Sequence, residues 1–121
     1  TSAPAENVSF VLDGLNIRHY FKEVVDATHV KKCKPDPEIY RLAASRLGRD
    51  PGRCLVFEDA IAGIQSAKAA GMPVIALTSS YPAEVLAEHG PSAIIQSFED
   101  LRKPCVASGL IEKFTGHRLA V

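Results

Sequence analysis

The chain has 121 residues, 46% of them hydrophobic, which is enough for one modest domain around a real core. Its 14 basic and 14 acidic side chains balance, and with no basic face or like-charged tail a nucleic-acid partner is not expected. No apolar run reaches the length of a membrane span, so no membrane partner is expected either.

The first segment, Thr1 to Asn7, is short and polar and lacks the basic start and apolar stretch of a signal peptide. A first residue other than Met points to processing or trimming. Val8, Val11, Leu12 and Leu15 recur at helical spacing, which predicts a helix over about 5–14. Tyr20-Phe21 forms an apolar segment near a turn, and Glu23 to Ala27 (EVVDA) reads as a short strand. Asp36-Pro37 makes a helix start, because Asp can cap and Pro suits the first turn. Ile39, Leu42, Ala43 and Leu47 continue that helix as an apolar stripe, and Gly48 ends it.

Asp50-Pro51-Gly52 is a turn. Cys54 to Phe57 follows as a continuous apolar run, the pattern of a strand covered on both faces. Residues 60–70 are Ala-rich, with Ile61, Ile64 and Ala67 at helical spacing and Gly71 as terminator. Val74 to Leu77 is the next buried strand, Pro82 opens a helix running to about His89-Gly90, and Ala93 to Ile95 is a third strand. Ser97 and Asp100 form a capping pair for a short final turn. Beyond Lys103 the pattern weakens, so 104–121 reads as a peripheral tail of a single domain spanning 1–121. Strands alternating with helices predict an α/β fold with a mostly parallel sheet. Cys33, Cys54 and Cys105 lie far apart with no CxxC, so reduced thiols in a cytoplasmic setting are expected, and no zinc site.

The chemistry concentrates at a strand end. Glu58 and Asp59 close the run CLVF just before a helix, where α/β sheets place their ligands. Two carboxylates there suit a hard cation such as Mg²⁺; alternatively, Asp59 caps the helix and Glu58 is solvated. Lys34 precedes Pro35 on a restricted loop, KPDP, and either reaches the same crevice as a point charge for phosphate or faces solvent beside Lys31 and Lys32. Gly63 sits inside a helix at some cost, for close packing or for backbone approach at the site. Thr1 and Ser2 offer hydroxyls to a phosphate if the N-terminus docks at the crevice, and Ser79, Ser80 and Tyr81, after a strand, either line the same crevice or serve the turn and helix start.

With these residues in place, the chain resembles the haloacid dehalogenase superfamily, in its β-phosphoglucomutase-like, sugar-phosphate phosphatase branch. The likeness runs from Thr1 to about Leu101, through TSAPAENV, Tyr20-Phe21, KPDPEIY, CLVFEDAIAGIQSAKAAGM and Pro73 to Leu77 in order. The resemblance implies a Rossmann-like core and Mg²⁺-dependent phosphoryl transfer on a phosphorylated small molecule. It makes Thr1 the phosphoryl-contacting hydroxyl, Lys34 the phosphate-stabilising lysine, and Glu58 and Asp59 the acidic residues of the magnesium site. Cys33 departs from the usual Gly before that lysine.

A larger departure concerns the first motif. The family uses a DxD pair, whose first Asp attacks phosphorus and whose second acts as acid and base; no DxD occurs in these 121 residues. The likeness begins at the second motif, so the resemblance implies a truncated core without the first two sheet strands and the helical cap. The chain is therefore expected to be the C-terminal part of a phosphatase, inactive alone. The alternatives are a β-phosphoglucomutase-like isomerase fragment or a non-enzymatic α/β assembly module. The absent strands would lie between the strand near Val24 and the one at 54–57, leaving apolar edges. The remaining strands then close up, copies pair or exchange elements, or a complementary polypeptide supplies the rest.

Overall fold

Three short apolar runs pair in parallel to form the sheet. The computed structural model, which describes residues 1–115, places them at β1 (Val56–Glu58), β2 (Val74–Leu77) and β3 (Ala93–Ile95), in the order β1-β2-β3. Val56 lies opposite Val74, and Ile75 opposite Ala93. The central strand is closed off on both faces, with Val74, Ile75 and Ala76 all buried, and this is why it reads as an unbroken apolar run.

The helices are α1 (Ala5–Gly14), α2 (Glu38–Arg46), α3 (Ile61–Ala69), α4 (Ala83–Ala87) and α5 (Pro104–Thr115). The core joins Ala44 of α2, Ile64 and Ala67 of α3 and Leu86 of α4 to Val56, Val74 and Ala76 of the sheet. The small residues of α3 let its axis approach the strands, with Ile64 as the one large side chain, wholly buried there. Arg41 donates to the Ala69 carbonyl at 3.0 Å and Lys68 to the His89 carbonyl at 2.8 Å, so two cations satisfy carbonyls at the ends of α3 and α4.

These features accord with a Rossmann-like α/β core, and most predicted elements appear. Gly48 and Gly71 end their helices at φ of 62° and 80°, the left-handed region that favours glycine. The Ser97–Asp100 pair forms a full capping box on the 3-10 turn Phe98–Arg102. The predicted strand at Cys54 starts later, at Val56, because the Pro51–Arg53 turn holds the Cys54 amide on the Pro51 carbonyl. The helix after Pro82 is shorter than expected and stops at Ala87, ahead of Gly90 at φ 62°. Where the pattern weakens past Lys103 the chain forms α5, while 116–121 fall outside the described residues.

One predicted strand is not formed. Residues 23–26 make no ladder, though Asp26 is extended at φ −115° and ψ −178°. Beside them runs Thr1–Ala3: the Thr1 nitrogen donates to the Val25 carbonyl at 2.9 Å and the Ala27 amide to the Ala3 carbonyl at 3.2 Å. Two hydrogen bonds, one of them from the terminal ammonium, do not make a ladder. Asp26 then ends the segment by capping the turn Ala27–His29. Among the described residues β1 has no strand on its outer side. Phe10 of α1, and Leu15, Tyr20 and Phe21 after it, carry their side chains into solvent. No helix among the described residues is long and apolar enough to cross a membrane.

Candidate functional site

The segment 23–25, the loop before α2 and the end of β1 line a cleft of about 790 Å³. Thr1, Ser2, Lys34, Glu58 and Asp59 all line it, and Val25, Ile39 and Phe57 contribute apolar wall. The residues singled out from sequence at three distant positions thus meet in one place.

Lys34 is delivered by a loop that folds back on itself. The Lys34–Pro35 bond is cis. The Asp36 amide donates to the Cys33 carbonyl at 3.0 Å. The Glu38 carboxylate accepts from the Lys31 and Lys32 amides at 3.0 and 2.9 Å, and the Asp36 carboxylate accepts from the Glu38 amide at 3.0 Å. Ser66, wholly buried on α3, donates to the Asp36 carbonyl at 2.6 Å and ties this loop to the core. Ser66→Ala is expected to cost about 1–2 kcal/mol, because it strands that carbonyl without a donor. A urea midpoint unchanged by the substitution would show that the tie carries no weight.

Glu58 ends β1 and turns under the start of α3. Its carboxylate accepts from Lys34 Nζ and from the Tyr40 hydroxyl at 2.5 Å, with the Ala60 amide at 3.4 Å. The pair is secluded, with side-chain exposures of 15% for Lys34 and 9% for Glu58, so solvent screens it little. Gly63 leaves the space that Glu58 occupies: a Cβ there would sit 2.0 Å from the Glu58 carboxyl carbon. What fills the space beside Gly63 is thus a side-chain carboxylate.

Asp59 points the other way. Its Oδ2 accepts from the Ser80 hydroxyl at 2.5 Å and the Ser79 hydroxyl at 3.2 Å. The Ser80 hydrogen bond holds its carboxyl below the usual range, Ser79 adds to this, and partial burial opposes it. Asp59 does not cap α3, for the helix has no side-chain cap.

Mg²⁺ binds through oxygen ligands, commonly one or two carboxylates completed by water and phosphate. Asp59, ionised and oriented by two serines, fits as one such ligand. Glu58 is committed to Lys34 and Tyr40, and no cluster of three His, Cys, Asp or Glu converges among the described residues.

Thr1 Oγ1 accepts from the Ala3 amide at 3.2 Å, which orients the hydroxyl segment at the rim, with Ser2 beside it. Cys33 also lines the cleft, with its side chain exposed. Tyr40 is the residue that sequence reasoning missed. It stands six residues after Lys34, just inside α2, but nothing local distinguishes its hydroxyl from that of any half-buried tyrosine. Burial first, and then the hydrogen bond to Glu58, push its phenol far above the ordinary range.

A family profile described as haloacid dehalogenase-like hydrolase matches residues 1–71. Fructose-1-phosphate phosphatase YqaB of Escherichia coli (strain K12) is 52% identical over 65 residues, covering 54% of this chain and 35% of its own. The phosphoglycolate phosphatase of Salmonella typhi is 42% identical over 102 residues, covering 84% of this chain and 40% of its own. Among solved structures, a putative beta-phosphoglucomutase from Thermotoga maritima superposes with a TM-score of 0.78 at 36% identity, over 84% of this chain and 48% of that one. The chain thus spans 35–40% of the length of these two curated relatives.

Proposed function

The chain belongs to the haloacid dehalogenase-like hydrolase family, and from that premise we propose that it is the lysine-and-carboxylate part of a Mg²⁺-dependent phosphatase acting on a phosphorylated small molecule. The convergence of Thr1, Lys34, Glu58 and Asp59 on one cleft supports this reading. Phosphoryl transfer is catalysed mainly by placing positive charge and donors where negative charge develops on the phosphoryl oxygens. Lys34 provides a fixed ammonium for those oxygens, and the Thr1 and Ser2 hydroxyls provide donors at the rim. Asp59 supplies one oxygen ligand for Mg²⁺, which when bound offsets phosphate charge. Glu58 holds Lys34, and to reach a cation directly it would have to leave that pair. Phosphatase names among the curated relatives favour hydrolysis over the mutase reaction.

None of these groups is an attacking carboxylate, and the 121 residues contain no DxD pair. The chain by itself is therefore proposed to lack substantial turnover, the first part of the site coming from a complementary segment. Joined to the portion of the Escherichia coli fructose-1-phosphate phosphatase that it does not match, it is expected to release phosphate with Mg²⁺ present and to lose that release in Asp59→Asn. Robust turnover by the chain alone, abolished by Asp59→Asn, would overturn the proposed inactivity. A folded chimera that binds Mg²⁺ yet releases no phosphate would overturn the phosphatase reading itself.

A further inference from the structure

We infer that Tyr40 is a positioning residue for Lys34, its phenol closing a three-cornered clamp with Glu58 that fixes where the ammonium stands in the cleft. Three contacts carry this. The Tyr40 hydroxyl donates to Glu58 Oε1 at 2.5 Å. Lys34 Nζ donates to the Tyr40 oxygen at 3.2 Å and to the same Oε1 of Glu58. The ammonium also lies 4.9 Å from the centroid of the Tyr40 ring.

The geometry decides what each contact contributes. A lysine ammonium is a point charge on a flexible four-carbon stem, and one carboxylate alone leaves it free to swing about that partner. A second acceptor and a ring face remove that freedom. The hydroxyl has one proton, and it is spent on Glu58, so the tyrosine oxygen must accept from Lys34. Tyr40 thereby also restrains Glu58, keeping its carboxylate beneath Gly63 and turned toward the lysine. Tyr40 is partly buried and packed against the core of α3 and the sheet, so this anchor is rigid. That the held ammonium meets phosphate rests on the phosphatase reading; the clamp itself does not.

The test uses the full chain labelled with ¹⁵N. The Lys34 side-chain ammonium is expected to give a protected ¹H–¹⁵N signal, identified by its absence in Lys34→Arg. Tyr40→Phe keeps the ring and the helix but removes the hydroxyl, and should speed hydrogen exchange at that ammonium about tenfold. A backbone spectrum like that of the unsubstituted chain together with unchanged Lys34 exchange would overturn the inference. If Tyr40→Phe disturbs the fold, the unsubstituted chain decides: a slowly exchanging Tyr40 hydroxyl proton in contact with the Lys34 ε-methylene supports the clamp, and its absence overturns it. Inorganic phosphate added afterwards separates the two readings, since a clamped Lys34 signal that ignores phosphate counts against the phosphatase and leaves the clamp standing.

Discussion

Gly63→Ala is expected to destabilise the chain by about 2 kcal/mol, even though alanine in a helix interior is worth about 1 kcal/mol over glycine. The added methyl would stand 2.0 Å from the Glu58 carboxyl carbon, far inside contact distance. The backbone of α3 cannot retreat, because Ile64 and Ala67 beside it are sealed against the sheet. The end of the Glu58 side chain is the part able to move, and when it leaves it abandons Lys34 and Tyr40. Breaking a secluded pair costs about 3 kcal/mol or more, which outweighs the helical gain. The two effects separate in a background where Glu58 is already gone. In Glu58→Ala, the second change Gly63→Ala should stabilise by up to about 1 kcal/mol, because only the propensity remains. Urea unfolding of the four variants reads this reversal of sign. Stabilisation by Gly63→Ala in both backgrounds would mean that the carboxylate does not fill the glycine's space.

The larger effect is expected at Lys34. Lys34→Met leaves the Glu58 charge secluded, with a phenol as its side-chain donor, and should cost about 3–4 kcal/mol. That is a large share of the 5–15 kcal/mol typical of a domain, roughly, so the variant should sit near the edge of folding. Removing both charges avoids the penalty: Lys34→Met with Glu58→Gln should recover most of the loss, since an amide can still accept from Tyr40. Because the pair is mostly out of solvent, the loss should persist at high salt, unlike that of the exposed Arg102–Glu99 pair. The check is unfolding at low and high ionic strength. A loss under about 1 kcal/mol, or one that salt erases, would place Lys34 among ordinary surface cations.

Sequence reasoning reached the elements whose pattern is self-contained. Val74 to Leu77 needs only its own apolar run to be read as a covered strand, and Ser97 with Asp100 needs only a spacing of three. EVVDA failed for the opposite reason: its residues suit a strand, but a strand exists through its neighbour, and here the neighbour is Thr1–Ala3. The site divides the same way. Lys34, Glu58 and Asp59 were legible because residue type and position at a strand end point to charge chemistry. The direction of each side chain was not, since β1 ends at Glu58 and Asp59 already lies in the bend beyond it, where no strand period applies. Glu58 turns to Lys34, and Asp59 to Ser79 and Ser80. Tyr40 and Ser66 act across 18 and 30 residues, distances over which no local pattern speaks. Gly63 was visible as a cost with two open reasons; the carboxylate five positions earlier that fills its space was not.

The loop ties described above also decide how the protein breathes. Residues 1–30 reach the rest through a few bonds, such as the 3.5 Å contact from Arg46 to the Val24 carbonyl, while β1, α3 and β2 share the sealed interior. A segment with little buried apolar contact opens at a lower free energy than one inside the core. The two walls of the cleft are therefore expected to differ in hydrogen-exchange protection, with amides around Glu58 and Asp59 slower than those around Thr1 and Ser2. Anything that inserts beside β1 would meet the better-protected wall first.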